Sequence, residues 1–131
     1  MPLIRLDVPT SLPAESWDTA VDVIYEALRS EFGVPENDRF AVVASHEAAG
    51  LQIDRTYLGI ARTEHAVIIQ VTLNAGRDVS LKRAFYAAVA RGLEERVGIR
   101  RADVVINLVE VAPENWSFGN GEAQYAGPGR Q

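Results

Sequence analysis

The chain has 131 residues, 47% of them hydrophobic, and a formal net charge of −5. A length in this range fits one domain that buries its own core without help from metal or disulfides. The acidic balance, 18 Asp and Glu against 13 Lys and Arg, opposes binding to nucleic acid, and the absence of cysteine rules out a disulfide scaffold, thiolate metal sites, iron–sulfur clusters and thiol catalysis.

The apolar runs are short, as in Ala66-Val67-Ile68-Ile69, so no membrane-spanning segment is expected. Met1-Pro2-Leu3 leads directly into a strand pattern with neither a basic region nor an apolar leader, and a cytoplasmic protein is expected. From Leu3 to Val8, Ile4, Leu6 and Val8 alternate with Leu3, Arg5 and Asp7, the period of a half-buried strand ended by Pro9. Ser11-Leu12-Pro13-Ala14-Glu15 reads as a helix start with a hydroxyl cap and an early proline. Trp17, Val21, Ile24 and Leu28 then lay one helical face on a core, and Gly33 ends the helix. A second strand is predicted from about Arg39 to Ser45, and the weakly periodic stretch from His46 to His65 reads as a hairpin or loop.

Ala66 to Leu73 is β-branched and nearly continuous in apolar character, as a strand covered on both faces would be. Asn74 to Asp78 is a turn, and a helix follows from Val79 to Val97 with Leu81, Phe85, Ala88 and Leu93 on one side and Gly98 as its stop. Asp103 to Val111 forms the last strand, before a turn-rich tail that ends in Gly127-Pro128-Gly129.

Leu28, Phe32, Gly33, Val34 and Asp38 line up with Leu93, Val97, Gly98, Ile99 and Asp103 at a constant offset of 65, which marks an internal repeat. The pseudo-repeat spans 2–45 and 66–111 of a single domain 1–131, each unit a βαβ motif. Right-handed crossovers make each strand pair parallel, and two units side by side give an α+β, ferredoxin-like sheet of four strands with both helices on one face. A sheet apolar on both sides and covered on one requires a partner, so a homo-oligomer built through the open face is expected.

Pro2 opens the first strand. Proline is tolerated at strand starts for structural reasons alone. Removal of Met1 would convert its nitrogen into a secondary amine, which apolar walls would tune to act as base, acid or nucleophile near neutral pH.

Pro2, the paired βαβ units, the stretch from Phe32 to Phe40 (Phe-Gly-Val-Pro-Glu-Asn-Asp-Arg-Phe) and the stretch from Asn115 to Gly121 (Asn-Trp-Ser-Phe-Gly-Asn-Gly) together resemble the tautomerase superfamily. Within it, the likeness runs to the malonate semialdehyde decarboxylase branch and covers nearly the whole chain. The resemblance implies a homotrimer, a small carboxylate substrate and catalysis without any cofactor or metal. It implies Pro2 as the catalytic proline and Asp38 as the aspartate beside it. Of the branch's two arginines after the third strand, one falls on Arg77, which would bind the substrate carboxylate and polarise its carbonyl, and the other is replaced by Ala75. Trp116, Phe118 and Tyr125 match the aromatic wall of the site.

Under this resemblance the expected reaction is decarboxylation of a small 3-oxo acid, with a possible hydratase side activity. The alternative is keto–enol tautomerisation of an enol pyruvate, which needs only one arginine and is favoured by Ala75. A non-catalytic trimeric binding protein is the reading from another class. Each site residue also has a plain structural use: Asp38 and Asp103 as turn formers, Arg77 as a solvated residue at a helix start, Trp116 and Phe118 as cover for a sheet edge. His46 and His65 lack metal-ligand spacing, and Gly119-Asn120-Gly121 lacks the lysine of a phosphate loop.

Overall fold

The alternation read in the first strand places Ile4, Leu6 and Val8 on one face of the sheet, all fully buried, in a computed structural model that describes residues 2–127. Pro128 and Gly129 at the end of the tail, and Met1, lie outside the described residues. In chain order the elements are β1 (Leu3–Pro9), α1 (Trp17–Phe32), β2 (Phe40–His46), β3 (Val67–Asn74), α2 (Val79–Val97) and β4 (Val104–Val111). The sheet runs β2-β1-β3-β4, with β1 parallel to β2, β3 parallel to β4, and the two units joined by the antiparallel pair β1 and β3. This is the double βαβ sheet expected from the repeat.

The duplication reaches beyond the strands and helices. Short 3-10 turns at Ala48–Gly50 and Pro113–Asn115, again 65 residues apart, follow the second strand of each unit. Both helices end on a glycine in the left-handed conformation, Gly33 at φ 70° and Gly98 at φ 80°, where a Cβ would be strained.

Both helices cover the same face. Ile24, Leu28, Phe85, Val89 and Leu93 are buried against Ile4, Leu6, Ile69 and Val71, and full burial of an aliphatic or aromatic side chain stabilises by about 2 kcal/mol. Phe32 and Phe85 stack with ring centres 4.8 Å apart, joining the helices at one end of the core. Leu81, expected on this face, is instead 39% exposed, and Val89 takes its place in the core. The first turn of α2 carries no buried residue, and burial begins at Phe85.

Two other expectations are corrected and one is narrowed. The first helix has no side-chain cap, because a 3-10 turn at Ala14–Ser16 precedes α1 and the Ser11 hydroxyl is paired with His65 Nδ1 at 2.8 Å. Of the hairpin or loop expected between β2 and β3, the segment is the loop, with 3-10 turns and no strand. β3 is not buried on both faces: it alternates, with Val67, Ile69, Val71 and Leu73 inside and Gln70 exposed.

The open face is correspondingly mixed. Leu3, Phe40, Val42 and Val109 are exposed hydrophobics. Between them runs a polar strip in which Gln70 Nε2 donates to Asn107 Oδ1 at 2.9 Å and Asp7 accepts from Arg5 and pairs with His46. Burial alone would push the Asp7 carboxyl up, but the hydrogen bonds from Arg5 and His46 outweigh it and hold it below the usual carboxylate range. Among the described residues no helix is long and apolar enough to cross a membrane.

Candidate active site

Strand direction brings distant residues to one end of the sheet. β1 and β2 begin there, β3 and β4 finish there. Leu3 pairs with Phe40 on one side and Thr72 on the other, and Asn74 pairs with Val111. Pro2, one residue before Leu3, is buried at this end. Asp38, two residues before β2, Arg77, three residues after β3, and the segment after β4 lie at the same end.

Asp38 is 5% exposed, and its Oδ1 is buried with no hydrogen-bond partner. Burial pushes its carboxyl up from the ordinary value, partly opposed by the positive charge of the chain's amino terminus. Asp103, its repeat counterpart, is 1% exposed but fully engaged: Thr63 N donates to Oδ1 at 2.7 Å and Thr63 Oγ1 to Oδ2 at 2.6 Å. One aspartate of the pair therefore anchors a loop. The other presents an oxygen that nothing in the described fold uses, and a native structure rarely leaves such an atom without a functional reason.

Arg77 is half-buried and held, not solvated. Its Nη1 donates to Asn74 O at 2.9 Å and its Nη2 to Phe32 O at 3.2 Å, with the guanidinium 5.2 Å from the centre of the Phe32 ring. Phe32 O is one of the carbonyls left over at the C-terminus of α1, where the helix dipole favours a cation. These two bonds leave further guanidinium N–H groups for a ligand. Ala75 continues the backbone ladder, its N–H donating to Val111 O at 3.1 Å, and its methyl offers no second cation.

Trp116, Phe118 and Tyr125 form one cluster. Trp116 and Phe118 stack at 5.2 Å, Tyr125 meets Phe118 edge-on at 5.3 Å, and Phe40 of β2 packs against Phe118 at 5.6 Å. Trp116 Nε1 donates to Asn74 Oδ1 at 2.8 Å, tying the wall to the end of β3. The turn that returns Tyr125 uses positive φ at Gly119, Asn120 and Gly121, and the Gln124 side chain staples it, accepting from Phe118 N and donating to Gly119 O, both at 2.9 Å.

Sequence reasoning missed Phe40, Asn74 and Tyr25, whose hydroxyl lies 2.9 Å from Asp38 N. Alignment of the halves held a signal for the last, since Tyr25 falls opposite Ala90. The two histidines sit away from this end: His46 closes β2 against Asp7, and His65 meets Ser11.

A buried proline, a buried carboxylate with an unpartnered oxygen, a held arginine and an aromatic cluster thus lie at one end of the sheet. The family model described as "Tautomerase enzyme" matches residues 38–119. The chain belongs to the tautomerase family. It is 35% identical over 125 residues to the probable tautomerase YrdN of Bacillus subtilis (strain 168), covering 95% of this chain and 96% of the relative. Among solved structures, FG41 malonate semialdehyde decarboxylase inhibited by 3-bromopropiolate is similar at 34% identity with a TM-score of 0.88, over 94% of this chain and 93% of the other. A fused 4-OT symmetric trimer shares the fold at 21% identity and a TM-score of 0.76, over 95% and 98%.

Proposed function

We propose that this protein is a cofactor-independent lyase that decarboxylates a small 3-oxo acid, such as malonate semialdehyde, to an aldehyde and CO2, with Pro2 as the catalyst once Met1 is removed. The observation that carries the reading is Asp38: a buried carboxylate with an unpartnered oxygen, at the end of the sheet where Pro2 is buried. Such a carboxylate raises the pKa of a neighbouring amine and holds it as a cation.

The substrate carboxylate pairs with Arg77. In one route protonated Pro2 hydrogen-bonds the substrate carbonyl; the C–C bond to the carboxylate breaks, its electron pair enters the carbonyl as an enolate, and the carbon then takes a proton. In the other, neutral Pro2 adds to the aldehyde and loses water to form an iminium ion. The same electron pair then yields an enamine, which is protonated and hydrolysed. Trp116, Phe118 and Tyr125 exclude water and strengthen both. Asp38 would activate water in a hydratase side reaction.

A second reading, tautomerisation of an enol pyruvate with Pro2 as base, is favoured by Ala75, since one arginine suffices for one carboxylate. The site is proposed to work in a homotrimer assembled through the open sheet face, where Leu3, Phe40, Val42 and Val109 are exposed. A monomer in sedimentation would contradict this assembly.

Mass spectrometry for loss of Met1, with activity of Pro2→Ala on malonate semialdehyde and phenylenolpyruvate, tests the reading. Loss of turnover is expected. Undiminished turnover of both substrates by the variant would sink the proline mechanism.

A further inference from the structure

Asp38 is held by its main chain. Its N–H donates to Tyr25 Oη at 2.9 Å, and the same hydroxyl donates to Pro35 O at 2.8 Å. One oxygen thus closes both ends of the turn from Pro35 to Asp38, whose third residue, Asn37, takes a left-handed φ of 62°. Tyr25 is buried in the middle of α1, and outside it the Arg39 guanidinium lies 6.0 Å from its ring while pairing with Asp22.

The second half of the chain shows what happens without this device. Ala90 stands in the place of Tyr25. There Asp103 N donates to Arg100 O at 2.9 Å, and the carboxylate itself does the anchoring through Thr63. A buried aspartate can be fixed through its carboxylate, which consumes the oxygen lone pairs, or through its backbone, which leaves them free.

We propose that Tyr25 is a positioning residue: its hydroxyl fixes the Pro35 to Asp38 turn so that the Asp38 carboxylate faces the site with an oxygen uncommitted. This rests on the reading of Asp38 as the working carboxylate of the site. Phenylalanine at position 25 would keep the ring but leave Pro35 O and Asp38 N–H unpaired, freeing the turn to shift. Displacement of a catalytic group by a fraction of an ångström lowers turnover more than binding.

The test is steady-state kinetics of Tyr25→Phe, Asp38→Asn and the double variant on malonate semialdehyde and phenylenolpyruvate. Tyr25→Phe is expected to lower kcat about tenfold with KM within about twofold, and to cost nothing further when Asp38 is already Asn. Full kcat in Tyr25→Phe beside a large loss in Asp38→Asn overturns the positioning role and leaves Asp38 in place. Full kcat in Asp38→Asn on both substrates overturns the underlying reading instead, and the inference with it. Amide hydrogen exchange on the unmodified protein gives a measurement independent of variant folding: the Asp38 amide is expected to exchange at least about a hundredfold more slowly than an unstructured amide. Exchange at the unstructured rate would overturn the clamp.

Discussion

Asp38 and Asp103 occupy equivalent places 65 residues apart, yet Thr63 satisfies the Asp103 carboxylate while Asp38 keeps a buried oxygen without a partner. Their amide variants should therefore move stability in opposite directions. Asp103→Asn replaces a charge-assisted acceptor pair with a group that turns an N–H toward a donor, at an expected cost of about 2 kcal/mol. Asp38→Asn removes a carboxylate whose ionisation is penalised by burial, and is expected to stabilise by up to about 1 kcal/mol at pH 7 while lowering turnover about a hundredfold. The sign follows from linkage: a carboxyl whose pKa is raised on folding binds its proton more tightly in the native state, so its penalty is present at neutral pH and is relieved as pH falls through the raised value. Thermal melts of both variants between pH 4 and 7 check this, and a destabilised Asp38→Asn would refute it.

Under the proposed function Arg77 serves two purposes that separate experimentally. Its bonds to Asn74 O and Phe32 O brace the end of α1, so Arg77→Ala should cost about 1 kcal/mol of stability. The loss of activity on carboxylate substrates should be far larger, about a hundredfold or more in kcat/KM. Arg77→Lys keeps the charge without the planar fork, and partial recovery of stability with little recovery of activity is expected. Equal activity in all three proteins would remove Arg77 from the site.

Gly92 lies where α2 packs closely on α1. A Cβ built there would lie 2.6 Å from Val23 Cγ1, inside any tolerable contact. Gly92→Ala would gain helix propensity but force α1 and α2 apart, for a net loss of roughly 1–3 kcal/mol. Adding Val23→Ala should recover part of it by vacating the space. Denaturant melts of the single and double variants measure the coupling, and simple additivity would show that the helices separate without strain.

Asp7 works in a different pH window from Asp38. Its carboxyl lies below the ordinary value of 3.8, so its contribution is present above that pH and is lost as acid carries the protein down through the lowered value. The stability gap between the native chain and Asp7→Asn should be constant from pH 7 to about 5 and close at lower pH. A gap that closes near neutrality would refute this assignment.

Where local pattern suffices, the fold was legible: α2 runs from Val79 to Val97 as its apolar spacing and Gly98 predict, and the repeat alone implied the paired parallel strands. Ser11 does not cap the helix because its hydroxyl is claimed by His65, 54 positions away, a contact that no local rule contains. The polar strip on the open face escaped for a similar reason, since Gln70 and Asn107 become neighbours only once β3 and β4 are in register. Asp38, Arg77 and the aromatic residues were named by resemblance. What distinguishes Asp38 from Asp103 became visible only with the partners of each carboxylate in hand.

The duplication also limits how many reactive centres a chain can carry. The position 65 residues after Pro2 is Val67, whose nitrogen is an ordinary amide inside β3, and a peptide nitrogen is neither base nor nucleophile. The counterparts of Arg77, Trp116 and Phe118 are Leu12, Leu51 and Ile53, so these three positions are aliphatic in the other half. Fusing two units into one polypeptide leaves a single free terminus for two equivalent halves. A reagent that alkylates the terminal amine should accordingly saturate at one adduct per chain, however symmetric the scaffold around it.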